Sequence, residues 1–541
     1  MKILIIGGVA AGTKVAAKLK RENRDYEVQI LTKGKDISYA GCGLPYYVGN
    51  VISASDQLIV NTPESFSKLT GVNVLTEVEV TNVNRKEKTV EFLDLKTNKA
   101  DNYKYDKLVI ASGADPIKPM IDGIDLKGVF FMRTPSDAIS LRASVEAGEI
   151  KRAVVVGGGF IGLEVAENLA TQGVKVSIID MAPHILPGFD SEFSQYVEDH
   201  LSNHGIISFP GTKLEAILGE NKVEKIKTEK RSMKADAVIL SIGIRPNTNF
   251  LANSDIELMP NRTIKVNQFL QTNDEDIYAI GDCACVINAI TNAPTWSPMG
   301  SSANIEGRIA AKNINGAKLS YRGVLGTGVA KLPELNVGRT GLTEVAAIAA
   351  GFDVVSVVTV VDDKAHYYPD SSTFIVKLTS DKNTRKLLGL QVLGKGAVDK
   401  MVDIAVTAIV MNATLDDIEN MDLAYAPPFS TAIHPLSHTV NILLNKLTGD
   451  FNTITPSDYL LGKAKDYKVI DTSIFPSINN APFIDLTTVN GELEDFNKDE
   501  KLLLVCTKGK RAYMLQNRLK YFGYTNTLVL EGGTTFNDIK V

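Results

Sequence analysis

Cysteine is scarce in this chain. Only Cys42, Cys283, Cys285 and Cys506 occur in 541 residues. That count excludes the disulfide framework of a small secreted fold, and the absence of a CxxC pair excludes the usual zinc or dithiol signatures. Cys283 and Cys285, one residue apart, are read as packing residues, and no metal site is expected. Long apolar runs are missing too: no stretch approaches the roughly 18 residues of a membrane span. The opening MKILIIGG lacks the apolar length and cleavage site of a signal peptide, so the expected compartment is a reducing cytoplasm. There is no excess of positive charge. The net charge of −5 argues against nucleic acid or an anionic membrane as partner, although local basic clusters could still hold a phosphorylated small molecule. Histidine is also sparse: six residues, none before His184.

What is present is length and glycine-rich turns. At 541 residues, 44% hydrophobic and 22% charged, the chain has the composition of a soluble globular protein and room for roughly three to five domains. KILIIGGVAAGTKVAAKLKR reads as a short buried strand, a glycine turn and a helix, the βαβ entrance at which helix N–H groups meet a pyrophosphate. Gly7 and Gly12 hold the outer glycine positions, Val9 stands at the middle one, and Ala10 and Ala11 complete the turn. The next strand ends in Thr32 and Lys33 where an acid is usual. RAVVVGGGFIGLEVAENLATQGVKVSIID is a fuller match. Gly157, Gly159 and Gly162 satisfy GxGxxG, with Phe160 and Ile161 between them. Asp180 ends the following strand near the roughly 20-residue offset expected of a ribose ligand. An acid there repels a 2′-phosphate, so NADH is expected over NADPH. Two further strand ends fit a flavin site: YDKLVIASGADP, which enters a turn at Ser112 and Gly113, and DIYAIGDCA, which presents Gly281 and Asp282.

The remaining chemistry centres on SYAGCGLPYYVG (38–49), a solitary Cys42 among small residues. Together with GGVAAG, ASGADP, GGGFIGLEVAE, SIGIRPNT (with Gly243), YAIGDCA, SANIEGRIAA and LAYAPPF, it resembles the pyridine nucleotide–disulfide oxidoreductases over about residues 1–450. The likeness is to their single-cysteine branch, which contains coenzyme A-disulfide reductase. The resemblance implies an α/β fold with two Rossmann-like domains, for FAD (1–115 and 245–322) and NAD (116–244), and an α+β dimerisation domain (323–450). It also implies a homodimer with shared active sites, in which Tyr367 or Tyr368, and Tyr425, donate hydroxyl groups to the reacting sulfur of the other subunit.

Glutathione-reductase-like relatives carry CxxxxC. Here no second cysteine lies near Cys42, so the partner sulfur is expected to come from outside and Cys42 to cycle between a thiolate and a mixed disulfide. The thiol is expected to lie against the isoalloxazine, with helix N-termini and backbone N–H groups lowering its pKa. Lys14, Lys18 and Arg21 share one face of the first helix. The family binds CoA with that helix and with the ANxxGR stretch, here Asn304 and Arg308, and Ser38 is placed with them. The rival reading is an NADH oxidase or peroxidase using a cysteine sulfenic acid. It lacks a histidine in the first glycine turn, where Val9, Ala10 and Ala11 offer no proton donor. His434 and His438 could supply a proton instead, as a His-Pro pair does in the two-cysteine relatives. A non-catalytic redox sensor is a third reading, disfavoured by two intact cofactor sites.

After residue 455 a new pattern begins, with strand, strand–loop–helix and strand. CTKGKR (506–511) matches the CxxGxR loop of rhodanese-like domains, in which N–H groups form an anion nest around a thiolate or persulfide. Lys508, Lys510 and Arg511 would add positive charge. Residues 456–541 are therefore expected to form a small rhodanese-like α/β domain with Cys506 as sulfane-sulfur carrier. The module is short, and Asp471-Thr472-Ser473 replaces the usual acid-Val-Arg, so a decayed domain that only packs on the reductase stays open. The combined expectation is an FAD-dependent, NAD(P)H-driven reductase of CoA disulfide, CoA persulfide or polysulfide.

Overall fold

The computed structural model describes residues 1–539; Lys540 and Val541, the end of the expected 456–541 module, lie outside the described residues. The chain divides into two compact units, Met1–Ile185 with Ser202–Val324, and Leu186–Leu201 with the remainder from Leu325.

The first unit holds two parallel five-stranded sheets of the same design. In spatial order one runs Ile277–Ala279, Lys107–Ile110, Lys2–Ile6, Glu27–Thr32 and Asn73–Thr76; the other runs Ile207–Phe209, Lys175–Ile179, Arg152–Val156, Ala237–Leu240 and Val129–Phe130. Their central strands are apolar runs because both faces are covered: Ile3, Leu4 and Ile5 are fully buried, as is Val155. The strand order reverses beside each central strand, which places the glycine turns at the crevice where doubly wound sheets bind ligands. Helices α1 (Ala10–Glu22), α2 (Leu44–Val48), α3 (Pro135–Glu146), α4 (Phe160–Thr171) and α5 (Gly300–Ile314) position the site residues of this unit.

The second unit contains an antiparallel five-stranded sheet in the order Gly328–Leu332, Leu335–Gly341, Leu387–Gly394, Thr373–Asp381 and Val354–Asp362. The alternating strands read from VVSVVTVV and STFIVKLTS are present, and so is the helix over Val398–Val410. Alternation does not leave a wet face, however. Lys377 and Thr379 are as buried as Val376 and Leu378 on the opposite face of the strand, and the lysine reaches carboxylates of the Leu186–Leu201 segment. Helix α6 (Pro435–Thr448) packs on the Val354–Asp362 strand. The C-terminal region forms a four-stranded, wholly parallel sheet in the order Thr453–Ile454, Thr527–Leu530, Leu502–Val505 and Lys468–Asp471, with helix α7 (Lys510–Tyr521) leaving the CTKGKR loop. This is the strand, strand–loop–helix, strand order read from the sequence. No helix among the described residues is long and apolar enough to cross a membrane.

Candidate active site

The two glycine turns superpose in kind. Gly7 and Gly157 have φ of +108° and +107°; a Cβ there would lie 2.1 Å from the Ala111 carbonyl oxygen and 2.2 Å from that of Ser241. Only glycine fits that backbone and that approach. Helices α1 and α4 begin at these turns without a side-chain cap and without an acidic residue in the first turn. Helix N-termini of this kind are where the phosphates of a dinucleotide are met.

The residues fit dinucleotides. At Gly159 a Cβ would meet no atom within 4 Å, so that glycine opens a cradle the protein itself does not fill. The Ser241 hydroxyl at the same turn is buried without a hydrogen-bond partner. Asp180 accepts the Gly158 N–H at 2.7 Å and the Ala182 N–H at 2.8 Å, which fixes its carboxylate at the mouth of the turn that Phe160, Ile161 and Gly162 continue. Gly243 follows the parallel strand, its carbonyl accepting from Ile117 N–H. On the flavin side Val9 takes the middle position with φ −104°, and Ala10 and Ala11 open α1. Ser112 Oγ donates to the Asn247 carbonyl at 2.7 Å, and Gly113 lies beside the Arg133 guanidinium. The Gly281 N–H donates to Glu306 at 2.6 Å, and Asp282 Oδ2 accepts from Arg133 Nη2 at 2.8 Å. Thr32 is buried, and Lys33 pairs with Glu79 at 2.8 Å.

Cys42 sits in a single 3-10 turn, Gly41–Gly43, that runs straight into α2, with Pro45 in the first turn of the helix. It is exposed, and Cys283, Cys285 and Cys506 are buried. The expected lowering of its pKa is corrected by the structure. Partial burial pushes the thiol up, the Glu164 and Asp282 carboxylates add to this, and only Arg133 opposes. Tyr46, one turn beyond Cys42, donates its hydroxyl to Glu164 at 3.0 Å. Arg142 of α3 clamps the same segment, donating to the Tyr47, Ile52 and Ser53 carbonyls at 3.0–3.2 Å, with its guanidinium 4.4 Å from the Tyr47 ring centre. Sequence reasoning missed Tyr46, Arg133, Arg142 and Glu164. Only Glu164 left a signal, an acid within the otherwise apolar FIGLEVA.

The CoA candidates divide. Lys18 is ion-paired with Glu22, and the Glu22 carboxylate is held below its usual range by Lys18, Lys312 and Arg308. The structure therefore brings Lys18 and Arg308 together and adds Lys312. Lys14 packs its stem against Gly307 of α5, Arg21 is exposed, and Asn304 is exposed and donates to the Gly300 carbonyl. Ser38 instead lies at the first glycine turn: its N–H donates to the Gly8 carbonyl at 2.9 Å, and its φ is +48°.

In the second unit Tyr367 and Tyr425 are exposed, and Tyr367 lies near enough to Tyr425 to raise its pKa. Tyr367, rather than Tyr368, is thus the tyrosine beside Tyr425; Tyr368 lies under Lys364. His434 is an N-cap: its Nδ1 accepts the Leu436 N–H at 3.2 Å, so the ring must be neutral at that atom. Burial, with Lys400 nearby, pushes its pKa down to about 4. A neutral cap is a poor proton donor. The unfolded state then binds the extra proton between pH 6.5 and 4, so stability is lost as pH falls through that window. His434→Asn, which caps without titrating, is expected to flatten the denaturation midpoint against pH in this range; a slope as steep as that of wild type would refute the assignment. His438 is also pushed down by burial and by Lys510, with Asp362 opposing.

Cys506 is buried, and its Sγ accepts the N–H of Ala512, in the first turn of α7, at 3.5 Å. The expected cluster of loop cations needs correction. Lys508 is paired with Asp362 at 2.5 Å, and Arg511 is committed to Asp485 and to the Thr472 carbonyl. Asp471 lies at the end of the strand paired with Leu502–Val505. It accepts the Ser473, Ser477 and Ile478 N–H groups, holding the shortened segment that follows its strand.

Comparison with known proteins places these features in a family. The model described as pyridine nucleotide-disulphide oxidoreductase matches residues 1–297, and that of its dimerisation domain matches 330–436. The chain is 35% identical to an NAD(P)H coenzyme A polysulfide/persulfide reductase of Pyrococcus horikoshii over 82% of its own length and 98% of the relative's. It is 34% identical to an NADH oxidase of Methanocaldococcus jannaschii, covering 83% of this chain and all of that one. Among solved structures, an NAD-dependent persulfide reductase from A. fulgidus matches with a TM-score of 0.94 at 33% identity, covering 99% of this chain and 100% of the other.

Proposed function

The chain belongs to the pyridine nucleotide-disulphide oxidoreductase family, and from that premise we propose that it is a homodimeric flavoenzyme that uses NADH, or NADPH, to reduce CoA disulfide, CoA persulfide or polysulfide at Cys42. The observation that carries this reading is the isolation of that thiol: it is the exposed cysteine of the chain, and the other three are buried. A thiol with no internal partner is suited to a diffusible one.

The cofactors are those of the family. Gly7, Val9, Ala10, Ala11, Gly12, Thr32, Lys33, Ser112, Gly113, Gly281 and Asp282 would hold FAD in the 1–115 and 245–322 domain. Gly157, Gly159, Phe160, Ile161, Gly162, Asp180 and Gly243 would hold the nicotinamide nucleotide in the 116–244 domain. Bound FAD would supply, at the sulfur, the two electrons taken as hydride from NAD(P)H. The chain's own part is sulfur exchange. The Cys42 thiolate attacks the CoA sulfur of CoA–S–SH, forming Cys42–S–S–CoA and expelling HS⁻. Two electrons and one proton then return Cys42 to the thiolate and release CoA as thiol. Lys14, Lys18, Arg21, Ser38, Asn304 and Arg308 would hold CoA, joined by Lys312. Tyr367 and Tyr425 of the 323–450 dimerisation domain would donate O–H to the sulfur across the subunit boundary. The 456–541 module would act as a rhodanese-like carrier in which Cys506–S–SH gives its outer sulfur to the CoA thiolate, yielding CoA–S–SH.

The mass of the group on Cys42 in the purified protein tests the substrate class. A CoA mixed disulfide is expected; a sulfenic acid with no CoA would instead support the NADH oxidase reading, which the M. jannaschii relative's name favours. In turnover, oxygen uptake far exceeding sulfide release would do the same.

A further inference from the structure

The surroundings of Cys506 hold a buried hydroxyl and a particular arrangement of charge. The strands Lys468–Asp471 and Leu502–Val505 pair in parallel, Ile470 with Leu504 and Asp471 with Val505, and the Thr472 N–H continues the ladder to the Val505 carbonyl at 2.8 Å. Thr472 therefore stands beside Cys506 in register. Side chains along a strand alternate between its faces. Ile470, Leu504 and Cys506 share one core with Ala512 and Leu515 of α7, while Val469, Leu503 and Val505 belong to the other. Thr472 follows Ile470 by two residues and so takes the Cys506 side. It is fully buried, and its hydroxyl has no hydrogen-bond partner, the Cys506 sulfur included. Charge is arranged just as specifically. Lys508 meets Asp362, the last residue of the Val354–Asp362 strand, at 2.5 Å, and Arg511 meets Asp485 at 3.0 Å. Lys510, the third cation of CTKGKR, is exposed. Two of the three loop charges are thus met by acids from outside the loop.

We infer that Cys506 takes its sulfur from a persulfide, whose sulfur end carries at most one negative charge, rather than from a dianion such as thiosulfate, and that the Thr472 hydroxyl holds the outer sulfur once it has arrived. This presupposes the reading of Cys506 as a sulfur carrier and adds its donor class. The exchange balances. The Cys506 thiolate attacks the outer sulfur of R–S–SH, the S–S bond of the donor breaks, R–S⁻ leaves, and Cys506–S–SH remains, with no net oxidation. Thiosulfate would instead bring two negative charges to the sulfur and expel sulfite with two. Lys508 and Arg511 already answer Asp362 and Asp485, and a dianion taken out of water without matching cations is costly. The transferred sulfur lies one S–S bond, about 2 Å, beyond the Cys506 Sγ. That extension brings an acceptor to the hydroxyl that the bare thiol leaves unpartnered. A donor aimed at a negative sulfur stabilises it. Thr472 is itself held in place, its carbonyl accepting from Arg511 Nε at 2.9 Å, one residue before the Ala512 N–H that donates to Sγ.

The test reads the sulfur on Cys506 directly. The full-length holoenzyme is treated with a thiol reductant, desalted and mixed with cysteine persulfide or with thiosulfate. The Cys506 peptide, with and without the added sulfur, is then quantified by mass over time. Cysteine persulfide is expected to load Cys506 at least about tenfold faster than thiosulfate. Asp362→Asn releases the Lys508 charge and should speed loading from thiosulfate by about tenfold, with a smaller change for the persulfide. Asp485→Asn releases Arg511 and should act in the same direction. Thr472→Val keeps the shape and deletes the hydroxyl. It should shorten the lifetime of the loaded persulfide, while the thermal midpoint of the reduced protein falls no lower than that of wild type, because the lost hydroxyl had no partner. Equal loading by the two donors in wild type would overturn the donor class, as would a thiosulfate rate that neither Asp362→Asn nor Asp485→Asn moves. An unaltered persulfide lifetime in Thr472→Val would remove the role given to Thr472. Loading from neither donor would sink the carrier reading itself.

Discussion

Cys42→Ser is expected to lower the reduction of CoA disulfide and CoA persulfide by at least about 10⁴-fold, while NADH still bleaches the flavin absorbance to the wild-type extent. Serine nearly preserves the shape of cysteine, and the side chain at this position is exposed, so no core packing is disturbed. What is lost is chemical. A hydroxyl cannot form the S–S bond that holds the substrate sulfur, and at neutral pH it supplies almost no anion. Electron entry from the nicotinamide does not require the sulfur, which is why the two half-reactions should separate. Stopped-flow absorbance reads the first half and sulfide or thiol release reads the second. Cys506→Ser divides the sequence at the other thiol. It should leave CoA disulfide reduction unchanged and slow only the use of sulfane-sulfur donors. Wild-type turnover of CoA persulfide by Cys42→Ser would falsify the assignment of Cys42.

The parts of this site that could be read in the sequence are those enforced by backbone geometry. Gly7 and Gly157 announce themselves because any side chain there would strike a carbonyl oxygen about 2 Å away. The apolar strands show because both faces of a parallel sheet are covered. The electrostatic surroundings of Cys42 could not be read in this way. Tyr46 and Glu164 are 118 positions apart, and Arg133 and Asp282 are 149. Neither pairing leaves a periodic trace, so the pKa of Cys42 was expected to move the wrong way. The same holds at Cys506. CTKGKR reads as a cluster of cations, but the acids that meet them, Asp362 and Asp485, lie in other strands and loops. His434 was a candidate proton donor by its Pro neighbour alone. The fold uses that same Pro435 as the first residue of α6 and the imidazole as its cap.

The second large effect is expected at Lys377. Its side chain is 3% exposed and lies 3.0 Å from Asp190, 2.6 Å from Glu192 and 2.7 Å from Glu344. Burial alone would favour the neutral amine, but the three carboxylates outweigh it and the ammonium is held. Asp190 is further fixed by Gln391 in both directions, and Glu192 accepts from Ser457, so the cluster ties the Leu186–Leu201 segment, the antiparallel sheet and the start of the C-terminal region together. Lys377→Met keeps the apolar stem and deletes the charge. Three acids are then left around a buried site with no cation, and the cost is expected to be about 3–5 kcal/mol of stability in the second unit. The sign with pH follows. Asp190, Glu192 and Glu344 would be forced toward protonation in the variant, so its native state binds more protons than its unfolded state above the ordinary carboxylate range. Its deficit against wild type should therefore shrink as the pH is lowered toward that range. Denaturant titrations of both proteins at several pH values measure this. An equal midpoint at neutral pH, or a deficit that grows on acidification, would show that the ammonium does not neutralise the cluster. Glu192→Gln in the Lys377→Met background removes one of the stranded charges and should recover part of the loss, which a purely steric defect at position 377 would not allow.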